Sequence, residues 1–211
     1  MGLPAQGSLL LQTPLSMSSV ADEPRPVDAD VVRLVQLTLG GDTAAFEQIV
    51  LRYETRVMTV AVRLLGTRDD ARDAAQEVFL RAFKYLHRLD LRKPVEPWLM
   101  RITVNVCRDA ARIRTRRQTT FVETGDHDSV DESPDQHDRL TRSEQRQLLQ
   151  LALDELPEKE RLAIVLRDVE GLSTGEVAVI LQSSETTVRS QISRGRLRLK
   201  AAIERLTGGL S

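Results

Sequence analysis

Arginines near the C-terminus of the chain form a pattern suited to binding phosphate groups and base edges. Residues 185–200 read ETTVRSQISRGRLRLK, and their basic side chains are Arg189, Arg194, Arg196, Arg198 and Lys200. Val188, Ile192 and Leu199 recur between them at helical spacing, which predicts an amphipathic helix with a basic surface. A guanidinium can bind a phosphate or pair with guanine, so this surface is a candidate DNA-binding site.

A second arginine cluster lies in the middle of the chain. It comprises Arg108, Arg112, Arg114, Arg116 and Arg117. Cations at the C-terminal end of a helix are favourable in themselves, so a solvated helix end is the alternative interpretation. Five arginines within residues 108–117 exceed what that effect needs, and we favour a phosphate-contacting surface.

Other chemistry is poorly supported by the sequence. We find no convergent catalytic set and no glycine-rich phosphate loop, and the scattered carboxylates look like solvated faces, so we expect no enzyme activity, no cofactor and no small-molecule substrate. The single cysteine, Cys107, excludes an internal disulfide and favours a reducing compartment. The three histidines do not share a metal-ligand spacing with it. Lacking a membrane-span or signal pattern, the chain is expected to be cytoplasmic.

The arginines of residues 185–200 belong to a predicted helix-turn-helix. Ser173 and Glu176 have the spacing of a capping box that starts a first helix. Ser183 or Ser184 can cap the second helix after a tight turn. In this motif the second helix lies in the DNA major groove. The alternative is a helical hairpin with a solvated arginine face.

Helices are also predicted throughout the rest of the chain. Apolar periodicity indicates helices over 28–39, from Asp42 or Thr43 to Gly66, and from Thr67 or Asp69 onward, with Phe79 and Phe83 directed inward. Two prolines interrupt residues 84–97, and the next helix is expected from Trp98 to about 117, after Pro97. Two more helices are expected over 140–156 and from Pro157 to Gly171, the latter with Val169 on its core face.

The composition and the helical patterns predict an all-α protein with two small helical domains. Hydrophobic residues make up 41% of the sequence but aromatic residues only 3%, which is typical of an aliphatic helical core. We predict a disordered extension over 1–27, a first domain over 28–118, a flexible acidic linker over 119–138 and a helix-turn-helix domain over 139–207. Basic surfaces on either side of an acidic linker account for the net charge of −1.

Four blocks of sequence together resemble the extracytoplasmic-function (ECF) group of bacterial RNA polymerase sigma factors, within the sigma-70 superfamily. They occupy residues 41–66, 69–84, 97–117 and 153–200, and read GDTAAFEQIVLRYETRVMTVAVRLLG, DDARDAAQEVFLRAFK, PWLMRITVNVCRDAARIRTRR and LDELPEKERLAIVLRDVEGLSTGEVAVILQSSETTVRSQISRGRLRLK. The resemblance implies a transcription initiation factor that binds core RNA polymerase, directs it to specific promoters and helps to melt the −10 region. The first block resembles the opening helices of the second sigma domain, which here spans 28–118.

The resemblance also implies three sets of functional residues. The helix of the second block would dock on the clamp of the largest catalytic subunit, through Asp70, Asp73, Gln76, Glu77 and Phe79. The loop at 85–95 and the following helix would capture an extruded base of the −10 element and follow its strand, through Arg88, Asp90, Arg92, Lys93, Trp98, Arg101, Asn105, Arg108 and Arg112. The last helix would contact the −35 element, through Thr186, Thr187, Arg189, Ser190, Gln191, Ser193, Arg194 and Arg196.

Some positions depart from the pattern of the family. Gln182 replaces a turn glycine, Ser184 replaces a common proline, and Gln191 stands where a basic residue is frequent. A glutamine favours contact with adenine. In the loop, Pro94 and Val95 stand where relatives usually carry a phenylalanine.

Partners and alternatives follow from the same resemblance. The expected partners are promoter DNA, core RNA polymerase (including the flap of the second catalytic subunit) and an anti-sigma factor. The alternative is a free-standing helix-turn-helix regulator, which would need a sensory domain in front of its DNA-binding helices. An enzyme with a helical fold is a third hypothesis, and it lacks a catalytic set.

Overall fold

The computed structural model describes residues 25–120 and 136–208, with side chains described for 25–115 and 144–208. Every regular element in these residues is helical, which confirms the predicted all-α class. The helices are α1 (Ala29–Leu39), α2 (Thr43–Leu65), α3 (Arg68–Tyr85), α4 (Val95–Thr120), α5 (Gln136–Asp154), α6 (Glu158–Ile164), α7 (Thr174–Leu181) and α8 (Glu185–Gly208). A 3-10 turn at Leu86–Arg88 follows α3, and a π turn at Val165–Val169 follows α6.

Local capping signals set the boundaries of the first three helices. The Asp28 carboxylate accepts the backbone N–H groups of residues 30 and 31, and Asp42 caps α2 in the same way. Thr67 rather than Asp69 caps α3. Gly66 ends α2 with φ of 85°, a left-handed conformation that favours glycine.

The N-terminal unit, α1–α4, is built around α2, which packs against α1, α3 and α4. Val57 and Val60 on α2 and Val104 on α4 are fully buried in its core. Tyr53 is also buried, and its hydroxyl donates a hydrogen bond to Glu96 Oε1 at 3.2 Å. Burial and the nearby negative charge of Glu96 raise the pKa of Tyr53 far above its ordinary value.

Helix α4 begins three residues earlier than the sequence indicated. It starts at Val95, which is buried, instead of at Trp98. Pro97 therefore lies within the first turn of the helix. Backbone N–H groups in a first turn have no intrahelical partner, so a proline there removes no hydrogen bond.

The C-terminal unit, α5–α8, is organised around α8, which packs against α5, α6 and α7. Gly195 permits the close approach of α8 to α6. A Cβ atom at this position would lie 2.8 Å from Ile164 Cγ1, which is closer than van der Waals contact allows. This crossing brings the basic surface of α8 beside the acidic side chains of α6 and the π turn.

The π turn changes which residues face the core. The Glu170 N–H donates to the Val165 carbonyl at 3.0 Å, an i to i+5 hydrogen bond. Because the turn holds an extra residue, Val169 is rotated outward and is 42% exposed, while Glu170 is buried. The prediction of Val169 as a core residue was wrong, since it assumed a continuous α-helical period.

The two units are packed together in this structure. Helix α4 packs against α7, α2 packs against the π turn, and buried apolar residues of both units form a continuous cluster. Helices α4 and α5 extend into the predicted linker, to Thr120 and from Gln136. The rest of that linker and residues 1–24 of the predicted extension lie outside the described residues. Within the described residues, no helix is both long and apolar enough to cross a membrane.

Candidate polymerase and nucleic-acid interfaces

The helix-turn-helix forms as the sequence predicted. Ser173 and Glu176 make both hydrogen bonds of a capping box at the start of α7. Gln182 ends α7 in a left-handed conformation, with φ of 52° and ψ of 50°. Ser184, rather than Ser183, caps α8 by accepting the N–H of Thr187 at 3.1 Å.

Most residues predicted to face the −35 element are exposed on α8. These are Thr186, Thr187, Arg189, Ser190, Ser193, Arg194 and Arg196. Gln191 is the exception, because it is 7% exposed and its Oε1 atom accepts no hydrogen bond among the described residues. Its amide cannot contact a base in this arrangement, so the groove-facing position predicted for Gln191 is corrected.

Carboxylates of the same unit hold the arginines of α8. Arg189 Nη2 lies 2.8 Å from Glu185 Oε2. Arg196 makes two bonds to Asp168 of the π turn, at 2.9 and 2.6 Å, and this hydrogen bonding raises the pKa of Arg196. The guanidiniums remain about half exposed. Exposed pairs of this kind stabilise by about 0–1 kcal/mol, so a phosphate or base can replace the carboxylate.

A single buried carboxylate serves two further arginines. The side chain of Glu160 on α6 is 8% exposed and lies 2.9 Å from Arg198 Nη1 and 3.6 Å from Arg194 Nε. Beside these pairs, the outer surface of α8 borders a shallow cavity of about 440 Å³. It is lined by Arg167, Thr174, Arg189, Ile192, Ser193, Arg196 and Leu197. Its cationic lining suits a phosphate.

The second basic surface follows α4. Arg101, Asn105 and Arg112 are exposed, Arg108 is half-buried, and their spacing places all four on the same face of the helix. Among the described residues, Arg101 and Arg112 make no ion pair. Trp98 is partly buried and packs on the core, so it offers only part of its ring to a ligand.

Arg114 is used differently from the other arginines of the α4 cluster. Its Nη1 donates to the Leu65 carbonyl at 2.9 Å and to Asp70 Oδ2 at 3.2 Å. This pair ties the end of α4 to α2 and α3. The predicted phosphate contact at Arg114 would have to displace both bonds, and the side chains of Arg116 and Arg117 lie outside the described residues.

The loop before α4 is ordered by Asp90. Its carboxylate accepts the Arg92 backbone N–H at 3.1 Å and both Nε and Nη2 of the same residue, at 2.9 and 3.2 Å. These hydrogen bonds to Arg92 hold the pKa of Asp90 below its ordinary value. The Arg88 guanidinium lies over the Tyr85 ring, 5.0 Å from its centroid, and Lys93 is exposed. Asp90 therefore orders the loop, while the loop cations Arg88 and Lys93 remain exposed.

Helix α3 presents a mixed polar and apolar face. Asp73 and Gln76 are exposed, whereas Asp70 pairs with Arg114, and Glu77 pairs with Arg81 at 2.6 Å. Phe79 is partly buried and packs against the core. Among the five predicted docking residues, Asp73 and Gln76 are thus the ones most available to a partner.

Two apolar residues on the same face were missed by the sequence analysis. Leu80 is 61% exposed and Phe83 is 48% exposed. The prediction that Phe83 points inward was wrong; its ring lies edge-on against Phe46, with centroids 5.0 Å apart. The signal was present in the spacing, because positions 73, 76, 80 and 83 lie on one helical face.

Models of known protein families match both units of the chain. The family model described as "Sigma-70 region 2" matches residues 49–117, and the model described as "Sigma-70, region 4" matches residues 146–199. The first match spans most of α2, all of α3 and nearly all of α4. The second runs from α5 into α8, so the two matched regions occur in the same order as the two units.

Similar curated proteins carry related names. The RNA polymerase sigma-H factor of Pseudomonas aeruginosa is 33% identical over 82% of this chain and 94% of its own length. The ECF RNA polymerase sigma-E factor of Escherichia coli K12 is 31% identical over 77% of this chain and 88% of its own length. The ECF sigma factor SigE of Mycolicibacterium smegmatis is 40% identical, over 76% of this chain and 63% of that protein.

Solved structures of similar fold include a sigma factor. CnrH, in complex with the cytosolic domain of CnrY, is 26% identical and covers 84% of this chain and 99% of its own, with a TM-score of 0.60. The sigma factor RpoE of Bartonella quintana, in complex with the anti-sigma factor NepR, is 25% identical. It covers 75% of this chain and 96% of its own, with a TM-score of 0.63. This chain therefore belongs to the ECF group of RNA polymerase sigma factors, the initiation factors that direct RNA polymerase to promoters.

Proposed function

We propose that this sigma factor binds core RNA polymerase through α3, follows the melted −10 strand with α4, and contacts the −35 duplex with α8. The observation that carries this proposal is the exposure of three chemically distinct faces, on helices that fall within sigma regions 2 and 4. One face is mixed apolar and acidic, and two are basic. The protein acts in the cytoplasm as a non-enzymatic factor without a cofactor.

The α3 face suits a protein partner. Exposed Leu80 and Phe83 supply an apolar centre, and Asp73 and Gln76 supply polar contacts at its edge. Protein interfaces commonly combine an aromatic anchor with a polar rim. We assign this face to the clamp of the largest catalytic subunit, and we assign the C-terminal unit to the flap of the second.

The α4 face suits a single strand. Arg101 and Arg112 are exposed and can each bind a phosphate of the strand, and Asn105 lies between them. The preceding loop offers Arg88 and Lys93 to an extruded base and its backbone. Extrusion costs a few kcal/mol, which stacking and polar contacts offset.

The α8 face suits a duplex. Arg189 and Arg194 project from the N-terminal half of the helix, where a recognition helix meets base edges. Thr187 and Ser190 flank them and can position the helix on phosphates. The carboxylates that hold these arginines keep the guanidiniums near a fixed orientation before DNA arrives.

We further propose that an anti-sigma factor binds this protein. The support is the likeness to CnrH and to the Bartonella RpoE, which are described as complexes with CnrY and with the anti-sigma factor NepR. An inhibitor of this kind would cover some of the three faces described above.

The test combines polymerase binding with transcription. Purified protein is titrated against core RNA polymerase, and the complex is assayed by run-off transcription on pooled genomic templates. We expect tight binding and defined new transcripts. Sequence-specific DNA binding without polymerase would instead indicate a free-standing regulator.

A matched pair of variants tests the docking face. Phe83→Ala should lower polymerase affinity by about tenfold, because buried aromatic anchors dominate interface energies. Leu51→Ala is the control, since Leu51 is 62% exposed on α2 and outside the three faces. Equal affinities of the two variants would contradict the assignment of α3 to the clamp.

A further inference from the structure

Polar contacts join the two units beside the α4 basic face. Glu158 at the start of α6 accepts a hydrogen bond from Arg108 Nε at 2.9 Å. Nearby, Gln150 Nε2 donates to the Arg63 carbonyl at 3.4 Å. Arg108 is one of the residues predicted to follow the −10 strand, and in this structure its guanidinium is already bound by the Glu158 carboxylate, which a phosphate would have to displace.

A second contact lies at the π turn. The Glu170 side chain is 4% exposed, and its Oε2 lies 3.1 Å from Arg56 Nε on α2. Arg56 and Arg25 also donate to the Glu170 carbonyl. A buried carboxylate without a partner is strongly unfavourable, so this contact depends on Arg56. The π turn is what directs Glu170 toward the N-terminal unit.

A cavity of about 390 Å³ lies beside the Arg108–Glu158 contact and is lined by residues of both units. Cys107, Arg108 and Arg112 of α4 line one side, and Glu158, Arg161 and Leu162 of α6 line the other. Cys107 is 2% exposed, and burial raises the pKa of its thiol to about 12. Because residues of α6 line the same cavity as Cys107, separation of the units should expose its thiol.

The packed arrangement cannot bind a whole promoter. The −10 and −35 elements are centred about 25 base pairs apart, which is about 85 Å at a rise of about 3.4 Å per base pair. The units are in direct contact here, with Arg108 already bound to Glu158. The units must therefore separate before α4 and α8 can bind their elements together.

We propose that Glu158 and Glu170 latch the polymerase-free protein in a closed state, in which the C-terminal unit covers part of the strand-binding face of α4. Polymerase opens the latch by holding the units apart. Opening of the latch by polymerase rests on the proposed function, whereas the existence of the closed state does not.

Alkylation of Cys107 measures the latch in the free protein. The protein is treated briefly with iodoacetamide, and modification of the Cys107 peptide is quantified by mass spectrometry. Only a thiolate in an open state reacts quickly, so the rate follows the open fraction. Glu158→Arg should raise the rate by about fivefold. Arg56→Met removes the ion pair with Glu170, as well as a longer one of 3.8 Å with Glu96, and should raise the rate by about tenfold or more.

Two further variants separate unlatching from misfolding. Arg108→Glu combined with Glu158→Arg restores an ion pair with reversed charges and should return the rate to near the wild-type value. Glu204→Arg makes the same charge change on α8, where Glu204 pairs with Lys200 of its own helix, and should leave the rate unchanged. Equal rates in wild type and Glu158→Arg would overturn the latch.

Polymerase affinity tests the consequence. We assume that only the open state binds polymerase. As long as most of the protein is closed, Glu158→Arg should then raise the apparent affinity for polymerase by the same factor as it raises the alkylation rate. Faster alkylation with unchanged affinity would overturn the coupling. Failure of wild type and variants to bind polymerase would refute the proposed function, while the alkylation results would still support the closed state.

Discussion

Helices α8 and α4 both carry arginines that are proposed to bind nucleic acid, but the two helices hold these arginines differently. On α8, Arg194 and Arg196 are bound to Glu160 and Asp168 of the same unit. On α4, Arg101 and Arg112 make no ion pair among the described residues, and Arg108 is bound by the opposite unit.

The difference matches the two forms of DNA that the helices are proposed to bind. A duplex groove has a fixed shape, and guanidiniums already held in one orientation lose less entropy when they bind it. A melted strand has no fixed shape, and unpaired cations can adapt to it. On these proposals, carboxylates of its own unit organise the α8 surface for a specific partner, whereas Glu158 of the opposite unit covers part of the α4 surface.

The largest expected effect comes from separating α8 from its carboxylates. Gly195→Ala would place a Cβ atom 2.8 Å from Ile164 Cγ1, so α6 and α8 must move apart. We expect a loss of about 2 kcal/mol in the free energy of unfolding, measured by urea denaturation.

The control for that variant is Gly175→Ala. Its added Cβ would approach the flexible end of the Glu185 side chain at 3.3 Å, which can shift at little cost. We expect its free energy of unfolding to change by less than about 1 kcal/mol. Equal losses in both variants would show that the α6–α8 crossing is not a tight contact.

The second prediction concerns sequence specificity on α8. Arg189→Ala and Arg194→Ala should each weaken recognition of the −35 element by about 1–3 kcal/mol if the arginine pairs with a base. The measurement is holoenzyme binding to matched and mutated −35 elements. Equal weakening on all sequences would assign these arginines to phosphates instead. Helix α8 would then bind DNA without sequence preference, as is proposed for α4.

The third prediction concerns salt dependence on α4. Arg112→Ala should weaken open-complex formation by about 1 kcal/mol at every promoter and lower the salt slope by about one ion, because one phosphate contact is lost. Holoenzyme binding across a potassium chloride series measures both quantities. A promoter-dependent loss would show that α4 distinguishes sequence, and the contrast between the helices would weaken.

The smallest expected effect is at the turn between α7 and α8. Gln182 adopts a left-handed conformation with φ of 52°, which glycine adopts without steric penalty. Gln182→Gly should raise the free energy of unfolding by about 0.5 kcal/mol, because relief of strain slightly exceeds the added chain entropy. Thermal unfolding measures the change, and a decrease would mean that the Gln182 side chain contributes packing that outweighs the strain.

Predictions from the sequence succeeded where the signal was local. The capping box at Ser173, the start of α2 at Asp42 or Thr43 and its end at Gly66 were all indicated by residues within one helical turn. They failed where the period was interrupted, as at Val169, or where one residue borders two surfaces, as at Phe83. Gln191 appeared to face the groove because its neighbours do, yet packing buries it.

The sequence by itself determined the all-α class, the helix-turn-helix and the family, because capping, helical periodicity and ordered blocks are properties of neighbouring residues. The tertiary structure decided which cations are free and which are bound. Arg108 meets Glu158, and Arg56 meets Glu170, at separations of 50 and 114 residues. Such pairs depend on how whole helices pack and on the π turn, and no local pattern encodes them.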